Sequence, residues 1–152
     1  MKANKYFEEL RGKADCYYET LKNLKDRKNE ICSKNNWEGP EVDKAFADIE
    51  AYEKHCPLTR VTSVALRAWM YSDSDELELN DFLWENEGKE FIDCLKSAGI
   101  HSFVYTNQST AVMDNICQFV NAGAKMIGVV MIEKKSIFDH IDTIPGIRFQ
   151  ID

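Results

Sequence analysis

The chain reads as an α+β or α/β protein. N-terminal helices, a long one plus a helical hairpin, are followed by a small three- to four-stranded, mostly parallel α/β domain. Three observations predict this. Apolar residues recur at alternating steps of three and four over the first thirty-odd positions. Two later segments end alike, at Ala98-Gly99 and Ala122-Gly123, each just before a β-rich stretch. Met126 to Ile132 is a nearly continuous apolar run. The first pattern has the period of a helix, the second is a helix stop, and the third suits a central strand buried on both faces. The helical region is placed at 1–71 and the α/β domain at 72–152, expected together as one compact unit.

Taken in order, Phe7, Leu10, Ala14, Tyr17, Leu21, Leu24, Lys28 and Ile31 trace a heptad seam. If the helix is continuous from about Lys5 to Ser33, it is on the order of 43 Å long. Asn35 to Pro40 is a polar loop closed by Gly-Pro, and Pro40 with Glu41 and Asp43 opens a second helix. Its stripe is Val42, Ala45, Phe46, Ile49 and Tyr52. A third helix, Leu58 to about Tyr71, turns Val61, Val64, Ala65, Ala68 and Trp69 inward. The seam has two uses that the residues leave open: an antiparallel hairpin with the second helix, or homodimerisation through the N-terminal helix.

Beyond Tyr71 the rhythm changes. Leu77-Glu78-Leu79 alternates as a short strand, and a helix runs from about Glu87 through Phe91, Ile92 and Leu95 to Gly99. His101–Thr106 is a second strand. A helix from Ser109 carries Val112, Met113, Ile116, Phe119 and Val120 and stops at Gly123. This is a βαβαβ pattern, whose crossovers favour parallel strands. Ile147–Ile151 alternates and suits an added edge strand after Pro145-Gly146.

Charge narrows the function classes. The 26 acidic and 19 basic residues leave a net charge of −7. Residues 1–60 are neutral, and most of the excess lies between Asp73 and Asp93. Such a surface repels phosphate backbones, so direct nucleic-acid binding is disfavoured and a basic protein partner is favoured. The candidate partner-binding residues are Asp73, Asp75, Glu76, Glu78, Asp81, Trp84, Glu85 and Glu87. The competing reading is a solvated acidic face.

Five cysteines stand without a CxxC pair and three histidines are scattered, so no metal site and no cofactor are expected. Reduced, mostly buried thiols suit a cytoplasmic protein. The start MKANKYFEEL has no apolar signal stretch, and no run approaches the roughly 18–20 apolar residues of a membrane span. No catalytic constellation is legible. The alternative site is the strand-end loop Thr106, Asn107, Gln108, Ser109 and Thr110, whose hydroxyls and helix N–H groups could hold a phosphate or carboxylate. It has no Gly, Lys or Arg, so it is not a Walker loop, and Ser109 also suits an ordinary helix cap.

The residues Leu83-Trp84, Phe91 to Leu95, Ala98-Gly99-Ile100, Phe103 to Thr106, Gln108 to Asp114, Gly123 and Gly128 form a recognisable series. Over roughly 76–132 the chain resembles a family of small uncharacterised proteins from Firmicutes and their mobile elements. The resemblance implies no transferable activity or site residue. Its association with mobile elements favours a protein that manipulates host or phage defence. The leading expectation is therefore a non-enzymatic, acidic protein-binding or regulatory module. One concrete form is an inhibitor of a bacterial defence nuclease, anti-CRISPR-like, acting on a basic surface. The alternative is a small anion sensor or enzyme using Ser109 and Thr110.

Overall fold

A computed structural model describes residues 3–152. The elements are α1 (Lys5–Lys34), α2 (Pro40–Glu53), α3 (Arg60–Tyr71), β1 (Leu77–Leu79), α4 (Gly88–Ser97), β2 (Ser102–Tyr105), α5 (Val112–Asn121), β3 (Lys125–Lys135) and β4 (Ile141–Gln150). The chain divides into two compact units: Glu9–Thr59, and the residues through Glu8 together with Arg60–Asp152.

In the helical unit the seam is filled from within the chain. The Tyr17 and Tyr52 rings stack at 5.1 Å. Tyr17, Leu21 and Ile49 form a small core, with Leu24, Tyr52 and Cys56 against it. Lys28 puts its ammonium 5.0 Å from the Phe46 ring centre, which accounts for a cation on an otherwise apolar seam. Partners descend on α2 as they ascend on α1, so the two helices form an antiparallel hairpin.

In the sheet unit, Asn4 caps α1: its Oδ1 accepts from the Phe7 N–H at 3.2 Å, and its amide donates to the Ala98 carbonyl at 2.9 Å. Phe7 stacks on Trp69 of α3 with ring centres 5.4 Å apart. The α3 helix packs on β1 and α4. Both Ala-Gly sites end helices as expected, with Gly99 at φ 68° and Gly123 at φ 97°. The Ile100 N–H bonds back to Leu95 and the Ala124 N–H to Phe119, the six-to-one closure of a glycine-capped helix.

The sheet order is β1-β2-β4-β3. The expected small sheet behind N-terminal helices is present, and the fold is α+β. Its mostly parallel character is corrected: only β1 and β2 pair in parallel, whereas β2–β4 and β4–β3 are antiparallel. The reason lies in one insertion. Because β2 and β3 are each antiparallel to β4, they share a direction, as their α5 crossover requires. A hairpin then returns β4 into the gap between them. The tail is thus a central strand from Ile141 and not an edge, and Met126–Ile132 lies on the outer strand and not at the centre.

One sheet face carries the aromatic core. Phe91, Phe103, Tyr105, Phe119 and Phe149 meet under α4 and α5, with neighbouring ring centres between 5.2 and 5.8 Å apart. Only Asn115 and Phe119 of α5 are fully inside, while Met113 and Val120 of the expected stripe are exposed. On the other face the β3–β4 ribbon curls back. Glu78, Val104, Arg148 and Gly128 stand in one row across the sheet. Lys134 is six residues past Gly128, about 20 Å along a flat strand, yet its ammonium bonds Glu78. A register shift between Met126 and Gly128 bends the ribbon. Gly146 allows close approach, since a Cβ there would sit 2.6 Å from Val104 Cγ1.

Candidate functional site

The acidic block is largely committed within the chain. Glu76 holds Arg148 through its Nε at 2.9 Å and Nη2 at 2.8 Å. Buried Glu78 bonds Lys134, which also lies 3.5 Å from Asp73. Asp81 accepts from Arg67 at 3.0 Å. Glu87 accepts from Arg60 and from the Trp84 N–H at 2.7 Å. Arg60 in turn lies over the Trp84 ring at 4.4 Å and the Phe82 ring at 5.4 Å. Asp75 and Glu85 are exposed and have no ion pair among the described residues. Burial works against the charge on Lys134, but the Glu78 and Asp73 carboxylates outweigh it and raise its pKa. Glu76 likewise raises that of Arg148. Asp73, Glu76 and Glu78 tie the ribbon to the sheet, whereas Asp81 and Glu87 tie the loop after β1 to α3, roles that the sequence run could not reveal because the partners lie up to 72 positions away.

The Thr106–Thr110 loop is occupied by its own turn. The Thr106 N–H donates to the Leu79 carbonyl at 2.9 Å. Asn107 donates to the Asn80 carbonyl at 2.6 Å, and its Oδ1 accepts from the Ser109 N–H at 3.0 Å. Ser109 Oγ also donates to that oxygen and accepts from the Ala111 N–H at 3.3 Å. Gln108 and Thr110 are exposed. The loop is an Asn- and Ser-closed turn leading into α5.

Two features went unseen in the sequence. The first is a cavity of about 660 Å³ at the N-terminal ends of β1 and β2, lined by Asn4, Trp69, Asp75, His101 and Arg148 among others. No spacing in the sequence connects these positions. The second is the outer face of the β3–β4 ribbon. Val129 is 72% exposed, Met131 61% and Ile141 62%, and at its tip Ile137 is 98% and Phe138 90% exposed. Met126 and Ile127, at the start of β3, are also more than half exposed. An apolar run of this kind is the usual mark of a buried strand, so hydropathy alone misassigned it. Among the described residues its edge is also unpaired, because β3 is the outermost strand.

Of the five thiols, Cys32 and Cys94 are buried and Cys16 and Cys117 exposed. Burial pushes the Cys94 thiol up. Burial, with a Cys94 contact, also takes the Tyr6 phenol to about 12. Among the described residues no group of three metal-ligating side chains gathers, and no helix is long and apolar enough to cross a membrane.

Fold and surface together define a small α+β domain of the split βαβ kind, with an exposed apolar hairpin as its most distinctive surface. The family described as a domain of unknown function (DUF7698) matches residues 63–151, and the chain belongs to it. That span takes in α3 from Ser63 onward and the whole sheet. No curated protein and no solved structure matches the chain.

Proposed function

We propose that this protein is a non-enzymatic protein-binding module whose docking element is the β3–β4 ribbon. The observation that carries the reading is the exposure of Val129, Met131, Ile137, Phe138 and Ile141 on one projecting hairpin. Water-exposed apolar side chains cost free energy that a partner surface recovers, and contiguous apolar patches on monomers mark interaction sites. Part of the acidic block supports the same reading in a different way: the pairs of Glu76 with Arg148 and of Glu78 with Lys134 brace the ribbon. An inhibitor of a bacterial defence nuclease acting on a basic surface is the finer form, and it draws support from the net charge of −7 and from uncommitted Asp75 and Glu85.

The test compares affinity capture by the native chain, by Ile137→Ser/Phe138→Ser and by Asp75→Asn/Glu85→Gln, at low and high salt. A stoichiometric partner retained at high salt and lost with the tip variant supports docking through the ribbon. Loss with the acid variant, and elution as salt rises, assigns binding to the acids. Equal capture by all three refutes both forms.

A further inference from the structure

We propose that the free edge of β3 pairs with the same edge of a second copy of this chain, antiparallel about a two-fold axis at Val130. This deepens the binding-module reading and rests on it. The backbone direction follows from the hairpin. The Ser136 N–H donates to the His140 carbonyl at 2.7 Å, closing the β3–β4 ladder. Antiparallel ladders alternate, so Lys134, Ile132 and Val130 spend their backbone groups on β4. Val129, Met131, Glu133 and Lys135 therefore turn theirs to the open edge. Pro145 agrees with this, since it lies opposite Met131, where β4 owes β3 no N–H.

The edge is complementary to itself. Gly128-Val129-Val130-Met131-Ile132 is uncharged and centred on Val130. In the two-fold register Val129 faces Met131 of the other copy, Val130 faces Val130, and Gly128 faces Ile132. Toward the ends of β3, Glu133 faces Ile127, Lys134 faces Met126, and Lys135 faces Lys125, two ammonium groups already held by Asp139 at 3.0 Å and by Asp152 at 2.6 Å. Both partners of each outward pair have free N–H and C=O groups, so the ladder continues and an eight-stranded sheet results. The side chains flanking this edge suit the same occupant: Met126, Ile127, Val129 and Met131 are all more than half exposed, and a second apolar strand laid along β3 would bring like side chains beside them. A bilayer fits less well: the protein is acidic, Lys135 is held by Asp139 at 3.0 Å, and Lys134 is spent on Glu78.

Sedimentation equilibrium from about 1 to 200 µM, a range that brackets micromolar affinity, tests this on the full chain. The expected mass rises from 17.6 kDa to twice that value. Val129→Lys and Met131→Lys lie on the exposed face, so each should weaken association about 30-fold or more with far-UV circular dichroism unchanged. Hydrogen exchange at Val129, Met131 and Glu133 should slow as concentration rises. A monomer throughout overturns the dimer. If those amides then exchange fast, the edge is open and the binding-module reading survives with another partner. If they are protected in the monomer, the chain covers its own edge and both readings fall.

Discussion

Replacing Asn115 by alanine should destabilise the sheet unit by about 3–5 kcal/mol. Asn115 is fully buried on α5. Its Oδ1 accepts from the Leu83 N–H at 2.8 Å and from the Tyr105 hydroxyl at 2.9 Å, and its Nδ2 donates to the Leu83 carbonyl at 2.7 Å. One side chain thus fastens the loop after β1 to α5 and to β2. Alanine strands three buried polar groups, each costing about 1–3 kcal/mol when left without a partner. A water entering the vacated space recovers part of this, which sets the range. With a urea slope of about 1–3 kcal/mol/M, the midpoint should fall on the order of 2 M.

The assay is urea unfolding followed by Trp69 and Trp84 fluorescence in a Trp37→Phe background, since Trp37 belongs to the helical unit. Tyr105→Phe is the control. It removes one of the three bonds and leaves Leu83 satisfied, so its cost is about 1 kcal/mol. Asn115→Asp keeps the acceptor but loses the donor to Leu83, and should resemble alanine. An Asn115→Ala protein within about 1 kcal/mol of the parent would refute the reasoning, because the three bonds would then carry no net weight.

Lys134→Met should cost on the order of 3 kcal/mol, because it leaves the Glu78 carboxylate buried without its cation. Amide exchange along Val130–Lys135 should quicken in that variant, and unchanged exchange would mean that the ion pair does not hold the ribbon. Alkaline pH should also destabilise the fold. Burial, with Asp114 nearby, takes the Tyr105 phenol from 10.0 to about 12, so the unfolded chain ionises first and stability falls between those values. The raised Lys134 acts in the same direction, its contribution being present at lower pH and lost as pH rises through its folded value. Urea midpoints measured from pH 9 to 12 should show this fall, and Tyr105→Phe should flatten it; equal slopes in the two proteins would contradict it.

Much of the local structure was legible because it is written in near neighbours. The Phe7-to-Ile31 seam lies within α1, Pro40 opens α2, and the paired Ala-Gly stops close α4 and α5. Each depends on residues a few positions apart, where period and cap chemistry act directly. Asn115 shows the limit. A polar residue on a helix face signals exposure unless its partners are known, and Leu83 lies 32 positions away.

The strands divide along the same line. By itself the sequence determined that helices come first, that short strands alternate with α4 and α5, and that β1, β2 and β3 run one way, since crossover handedness follows from chain chirality. Tertiary structure alone decided where β4 inserts. That insertion turned the expected central strand outward, made the tail central, and left an apolar ribbon in water. It also set the acids against Arg148, Lys134, Arg67 and Arg60. Hydropathy reports how apolar a strand is but not which strands flank it, and β pairing is settled between distant segments by the packing of the whole sheet.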